Sequence, residues 1–418
     1  MGFENLAAEL DDRLSAADAE LTRHYPGERG GRQPVHTVYV PADRYDATTV
    51  PAWGEEALDV FTRHAGTATA LSRVFALEPG LAEEIHERIR NKLATQPIED
   101  LRIDFEDGYG SRPDEDEDAA AAAAAEALVT SAQDGTGPPY SGIRFKSFEA
   151  ATRRRGLRTL DLFVGELVRQ GGLPDSFVVT LPKVTSVDQV EAMVAVCSRL
   201  EQGHGLAAGR LGFEIQVETP QSVLGPDGTV LLARMIHASE GRCTALHYGT
   251  YDYSASCGIA AEYQSMEHPA ADHAKAVMQV AAAGTGVRLS DGSTNLLPVG
   301  DGPAVHAAWQ THARLVRRSL ERGFYQGWDL HPAQLPSRFV ATYAFYRQGL
   351  QHAAKRLRAY VEGGSSGFLD EPATAAALAG FVVRGVECGA VEPAEVDKLV
   401  GVEPDRLAVL ARRVVAGG

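Results

Sequence analysis

Eight short runs rich in β-branched and aromatic residues alternate with helical patterns along this chain: His36–Val40, Leu101–Phe105, Gly142–Lys146, Phe177–Leu181, Phe213–Glu218, Ala245–Gly249, Asn295–Val299 and Gly327–His331. Parallel neighbouring strands need a crossover long enough to hold a helix, so a strand–helix–strand repeat implies a parallel sheet. Eight such repeats predict an α/β fold closed into a (β/α)8 TIM barrel rather than an open doubly wound sheet. The seventh run is the most weakly marked. Between the runs, Ser186 stands where it can cap a helix with Val187, Val190, Val194 and Cys197 at helical spacing, and Val305–Arg322 stops at Gly323. The acidic run Asp114–Asp118 followed by Ala119–Ala125 reads as a helix start, since acids complement the helix dipole and alanine favours helix.

The predicted organisation is a TIM-barrel catalytic domain over residues 1–340, with helical decoration in its N-terminal part, and a helical extension or lid over 341–418. Ser337–Ala359 is helical, Gly363-Gly364-Ser365-Ser366-Gly367 is a joint, and Phe368–Gly418 is a small helical tail. The 418 residues, 44% apolar, suffice for a barrel-sized core. A formal charge of −16 argues against nucleic acid and anionic membrane as partners. Cys197, Cys243, Cys257 and Cys388 are widely spread and form no C-x-x-C pair, which suggests neither a zinc cage nor a disulfide framework and fits a reducing cytoplasm best. No segment reaches the roughly 20 apolar residues of a membrane span, and the acidic, amphipathic Met1–Arg13 is unlike a signal peptide.

In a parallel barrel the C-terminal ends of the strands open on one mouth. Two consecutive runs end in carboxylates there: Glu218 in Gln216-Val217-Glu218-Thr219-Pro220, and Asp252 in Tyr248-Gly249-Thr250-Tyr251-Asp252. Together they could hold one hard divalent cation. Oxygen-only ligands favour Mg2+ or Mn2+ over zinc and leave positions for water and substrate. Three further ends carry charge: Asp104-Phe105-Glu106-Asp107-Gly108, Arg144 and Lys183. Arg144 suits a bidentate grip on a substrate carboxylate, or else a barrel-end ion pair with Asp104 or Glu106. Lys183 is either structural or a Schiff-base nucleophile. Asp104, Glu106 and Asp107 alternate in direction, so at least one is a structural acceptor. His331 and Pro332 are read as shaping a turn rather than donating a proton, Tyr251 and Tyr253 as packing residues, and Arg153-Arg154-Arg155 as an exposed helical face rather than a contact for a coenzyme A phosphate.

Val38-Tyr39-Val40-Pro41, Asp104–Gly108, Gly142–Phe145, Leu181–Val184, Val217-Glu218-Thr219, Gly249–Asp252, and Gly323-Phe324 with Leu330-His331-Pro332-Ala333-Gln334 together resemble, in order and spacing, the HpcH/HpaI aldolase and citrate lyase β-subunit family. The tail's Phe368-Leu369-Asp370-Glu371-Pro372 looks like that family's lid. The resemblance implies a magnesium-dependent barrel in which Glu218 and Asp252 bind the metal, Arg144 holds the substrate, and Glu106 and Asp107 support the metal's water shell and the substrate. Asp370 would act from the lid, offered to a neighbouring subunit in coenzyme-A-using members, which implies a homo-oligomer. Asp370 is equally placed to cap a helix starting near Pro372. The chain departs from the family in a longer Glu218–Asp252 interval, in Gly327-Trp328-Asp329 where Gly-Lys is usual, and in its extended N-terminal region.

The expected activity is a metal-dependent carbon–carbon lyase or aldolase acting on a small hydroxy- or oxo-acid through a stabilised enolate. The alternatives are a malyl- or citramalyl-CoA-type lyase, whose substrate is a coenzyme A thioester, a Schiff-base aldolase using Lys183, and a non-catalytic metabolite-binding barrel.

Overall fold

The computed structural model describes residues 3–363, 367 and 371–411. Eight strands form one parallel sheet: β1 Thr37–Pro41, β2 Asp100–Asp104, β3 Tyr140–Arg144, β4 Val178–Leu181, β5 Gly212–Val217, β6 Cys243–Tyr248, β7 Arg288–Ser290 and β8 Trp328–Asp329. Their spatial order is β7-β6-β5-β4-β3-β2-β1-β8, and the parallel bridge between Ser290 and Gln326 closes the cylinder. The Asp291 amide completes the closure by donating to the Gln326 carbonyl at 2.8 Å. The fold is the expected (β/α)8 barrel.

The helices are α1 Phe3–His24, α2 Thr49–Ala65, α3 Ala68–Phe75, α4 Pro79–Thr95, α5 Asp114–Gln133, α6 Arg153–Arg169, α7 Val187–His204 and α8 Pro220–Val223. They continue with α9 Leu231–Ala238, α10 Thr250–Ser256, α11 Pro269–Ala282, α12 Gly302–Glu321, α13 Leu335–Glu362, α14 Pro372–Glu387, α15 Pro393–Val400 and α16 Pro404–Leu410. Sequence and structure agree on the acidic start of α5 and on α7, whose Val190, Val194 and Cys197 are buried. Among the described residues, no helix is long and apolar enough to cross a membrane. The four cysteines are unpaired.

The seventh strand departs from the sequence reading. Residues 291–299 have no regular structure, Leu296 and Val299 are exposed, and the pairing strand is Arg288–Ser290 just upstream. Pro298 leaves the apolar run without a donor for the ladder, whereas three residues with a single aliphatic side chain suffice where the barrel seals. The long interval after Glu218 also has a structural account: Leu224 and Val230 bridge antiparallel, inserting a small hairpin between α8 and α9.

Alternation along the strands sends Leu101, Ile103 and Phe105 of the β2 segment, and Phe213, Ile215 and Val217 of β5, into one apolar core beneath the helices. A second core forms where α2–α4 meet α13–α16. The opposite faces carry charge into the barrel. Arg102 of β2 reaches across to Glu214 of β5, its Nε donating at 3.0 Å and a terminal nitrogen at 2.7 Å, and its Nε also donates to Thr180 at 3.1 Å. Asp100 completes this fully buried group. On the outer side, Asp329 of β8 ties Arg338 of α13, His312 of α12 and His36 together, anchoring α13 to the cylinder.

Candidate metal and substrate site at the barrel mouth

Glu218 follows β5 directly, and Asp252 lies in the first turn of α10, immediately after β6. Glu218 is buried and fixed on two sides. The Lys183 backbone N–H donates to its Oε1 at 2.7 Å, and Gly249 leaves room for the rest: a Cβ there would stand 2.5 Å from the Glu218 Cβ and 2.8 Å from its Oε2. Lys183 adopts φ 52°, an uncommon conformation for a side-chain-bearing residue, and it aims this N–H at the carboxylate.

Arg144, at the end of β3, makes a two-pronged contact with Asp104, from Nε and from a terminal nitrogen at 2.6 Å each. Its other terminal nitrogen stands 3.5 Å from Glu106, and its guanidinium lies 4.7 Å over the Tyr39 ring. Asp104 also accepts the Glu106 and Gly108 amides at 2.9 Å each. It therefore positions Arg144 and folds the loop after β2, while Glu106 and Asp107 turn to the Lys183 ammonium, with Asp107 at 2.6 Å. Structure and sequence agree that one acid of this triplet is structural, and Asp104 is that one.

The electrostatics follow from this pairing. Five carboxylates, Asp104, Glu106, Asp107, Glu218 and Asp252, share two cations, Arg144 and Lys183. Burial, then the charges of Asp252 and Glu106, push the Glu218 carboxyl up to about 8, against the opposing pull of Arg144. Burial and Asp107 raise Asp252, and burial raises Glu106. Burial would lower Lys183, but its hydrogen bonds to Asp107 and Glu106 outweigh this and hold it above the usual lysine range. The same bond to Lys183 lowers Asp107 despite burial.

This donor set fits a hard divalent cation: carboxylate oxygens only, with a shortage of positive charge around Glu218 and Asp252. Among the described residues, no three His, Cys, Asp or Glu side chains converge as a preformed metal cage. A two-acid site completed by water and substrate oxygens is the arrangement the residues allow. Asp370 lies outside the described residues.

Sequence reasoning singled out Glu106, Asp107, Arg144, Lys183, Glu218 and Asp252, and these all gather at the mouth. It missed Tyr39 and Gly249. Tyr39 is signalled by its place two residues before Pro41 on an inward-facing register, and its buried hydroxyl has no hydrogen-bond partner among the described residues. His331 shapes a turn, its Nδ1 accepting the Ala333 amide at 3.1 Å. Arg153 and Arg154 are exposed on α6, as expected of that face, while Arg155 turns to Glu117 and Asp118 of α5. A separate cavity of about 540 Å³ opens at the other end of the barrel, lined by Arg29, Asp100, Arg102, Glu214, His247 and Arg288, away from the carboxylate cluster.

Solved structures share this fold at low identity. A citrate lyase from Burkholderia xenovorans LB400 is 18% identical with a TM-score of 0.58, over 88% of this chain and 97% of its own. Haloferax volcanii malate synthase in a magnesium/glyoxylate complex is 16% identical with a TM-score of 0.51, over 93% and 100%. Protein CitE from Mycobacterium tuberculosis, in complex with magnesium, acetoacetate and coenzyme A, is 16% identical with a TM-score of 0.50, over 86% and 99%. No curated protein matches in sequence. A family model described as "Domain of unknown function (DUF6986)" matches residues 14–415, and the chain belongs to that family.

Proposed function

We propose that this protein is a divalent-metal-dependent carbon–carbon lyase, or in reverse a condensing enzyme, acting on a small hydroxy- or oxo-acid. One observation carries the reading: a buried carboxylate, Glu218, beside Asp252, with the nearby cations already committed to other acids. Keeping such a cluster is costly unless a further positive charge joins it. Glu218 and Asp252 would hold Mg2+ or Mn2+, which supplies charge to stabilise an enolate oxygen as the carbon–carbon bond breaks. The chain's own residues do the rest. Asp104 fixes the orientation of Arg144, whose other terminal nitrogen, 3.5 Å from Glu106, would exchange that long contact for a substrate carboxylate or oxyanion. Lys183 holds Glu106 and Asp107 at the entrance, and the Lys183 amide keeps Glu218 in place.

The magnesium complexes of the fold neighbours, with glyoxylate or with acetoacetate and coenzyme A, support this class of reactant here. Against the Schiff-base route stands the state of Lys183: paired with two acids, it stays protonated, and an ammonium is no nucleophile. The lid role of Asp370, the extension over 341–418 and assembly into a homo-oligomer belong to the same proposal, as does a coenzyme A thioester as substrate.

The test is turnover with a panel of free oxo- and hydroxy-acids and acyl thioesters, with Mg2+ or Mn2+ and then EDTA. Metal-dependent cleavage or condensation is expected, lost by at least about 100-fold in Glu218→Gln and Asp252→Asn. Activity that survives EDTA, or a borohydride-trapped adduct on Lys183, would replace this mechanism with the Schiff-base one.

A further inference from the structure

The first helix buries nothing. Every residue from Phe3 to Arg23 is exposed, including Phe3 at 89%, Leu6 at 48%, Leu10 at 46%, Leu14 at 48% and Leu21 at 60%. Twenty-two residues make a rod of about 33 Å, and an isolated helix without a packed face is marginal in water. Six of its ten apolar residues follow a rule, with Leu6 flanking them and Ala8, Ala16 and Ala19 elsewhere on the helix. Phe3, Ala7, Leu10, Leu14, Ala17 and Leu21 step by four, three, four, three and four, which is an unbroken d-a-d-a-d-a heptad seam. A helix packed on a globular core usually shows a wider stripe. A seam this narrow suits one other helix.

We propose that α1 joins two copies of this chain as a parallel two-stranded coiled coil. The flanking charges select both partner and direction. The e positions are Glu4, Asp11 and Asp18, and the g positions are Leu6, Arg13 and Glu20. In a parallel in-register pair, each g residue meets the e residue five positions further along the other helix, so Arg13 of each copy faces Asp18 of the other, twice by symmetry. An antiparallel pair would set e against e, with Asp11 facing Asp11 and Glu4 near Asp18, which is repulsive at every step. A membrane surface is a poor occupant, because Glu4, Glu9, Asp11, Asp12, Asp18 and Glu20 outnumber Arg13 and Arg23 along the helix and anionic headgroups repel them.

The root of α1 fits this role. His24 stacks edge-on against His237 of α9, with ring centroids 4.6 Å apart, and Arg29 donates to the Gly241 and Cys243 carbonyls where β6 begins. The helix thus leaves from the N-terminal end of the barrel, opposite the mouth, and pairing through it leaves both mouths open. This inference does not depend on the proposed reaction.

Sedimentation of the full chain over a micromolar concentration series tests it. The expected mass is twice the 44.7 kDa of one chain. Leu10→Asp with Leu14→Asp should weaken dimerisation by at least about 100-fold with the near-ultraviolet circular dichroism of the barrel unchanged, since neither leucine is buried against it. Arg13→Glu should weaken it about 10-fold, and adding Asp18→Arg should restore it. Leu14→Cys on a Cys257→Ser background should form an interchain disulfide, because a positions face each other in a parallel pair. A wild type that stays monomeric, or a dimer indifferent to the aspartates, overturns the proposal. A dimer lost with the aspartates but never cross-linked through position 14 overturns the parallel arrangement.

Discussion

Replacing Glu218 with glutamine should make the metal-free protein more stable while removing its response to magnesium. The sign follows from the raised carboxyl. A group with pKa about 8 folded and 4.5 unfolded contributes fully below pH 4.5, and that contribution disappears as pH rises through 8. Metal-free wild type therefore loses stability across this window, by up to about 4 kcal/mol at pH 8, at 1.36 kcal/mol per unit. Glutamine resembles the protonated acid, keeps an acceptor for the Lys183 amide and does not ionise. The variant should match wild type at pH 5 and exceed it at pH 8 in EDTA. At an unfolding entropy of about 2.1 cal/mol/K per residue, a chain this long gains roughly 1 °C per kcal/mol, so the midpoint should rise about 2–4 °C. Saturating magnesium, at about 100 times its Kd, should add about 2.7 kcal/mol, near 3 °C, to wild type alone. Scanning calorimetry at both pH values, with EDTA or magnesium, reads all of this. A variant less stable than wild type at pH 8 without metal, or equally stabilised by magnesium, would refute the reasoning.

Gly249→Ala should displace Glu218, since the new methyl would lie 2.5 Å from its Cβ, and metal-dependent turnover should fall at least about 10-fold while circular dichroism is unchanged. Wild-type kinetics in that variant would mean Glu218 has other room to move. Arg144→Lys should lower kcat/KM by at least about 10-fold, because an ammonium cannot reproduce the fork on Asp104 or the stacking on Tyr39, and unchanged kinetics would remove Arg144 from the site. Arg102→Met should cost about 3–5 kcal/mol in denaturant unfolding by leaving Asp100 and Glu214 buried without their cation, and a neutral result would show that the barrel interior relaxes around them.

The barrel was legible because each long strand pairs an outward apolar row with a conspicuous end: β2 runs into Asp-Phe-Glu-Asp-Gly and β5 into Val-Glu-Thr. β7 was not, because three residues carry no period, while the nearby apolar run Asn295–Val299 mimics a strand and its proline prevents it from serving as one. Site residues close to strand ends could be read from chain position alone. The ion pair of Arg144 with Asp104 or Glu106 was also legible, and the structure shows both, Asp104 the closer; that Glu106 and Asp107 turn to Lys183 was not, because it depends on side-chain direction around a turn. Gly249 and Tyr39 act through space left or filled across neighbouring strands, and a one-dimensional pattern does not carry that information. The N-terminal stretch was visible as amphipathic, but only its full exposure showed that the α1 seam lacks a partner among the described residues.

The central claim is that Glu218 and Asp252 grip one divalent ion, and titration of Mn2+ followed by electron paramagnetic resonance addresses it without needing the substrate. The account predicts one bound ion per wild-type chain, binding that tightens as pH rises toward 8 because Glu218 must give up its proton, and loss of that ion in both Glu218→Gln and Asp252→Asn. Equal Mn2+ binding by wild type and both variants would contradict it.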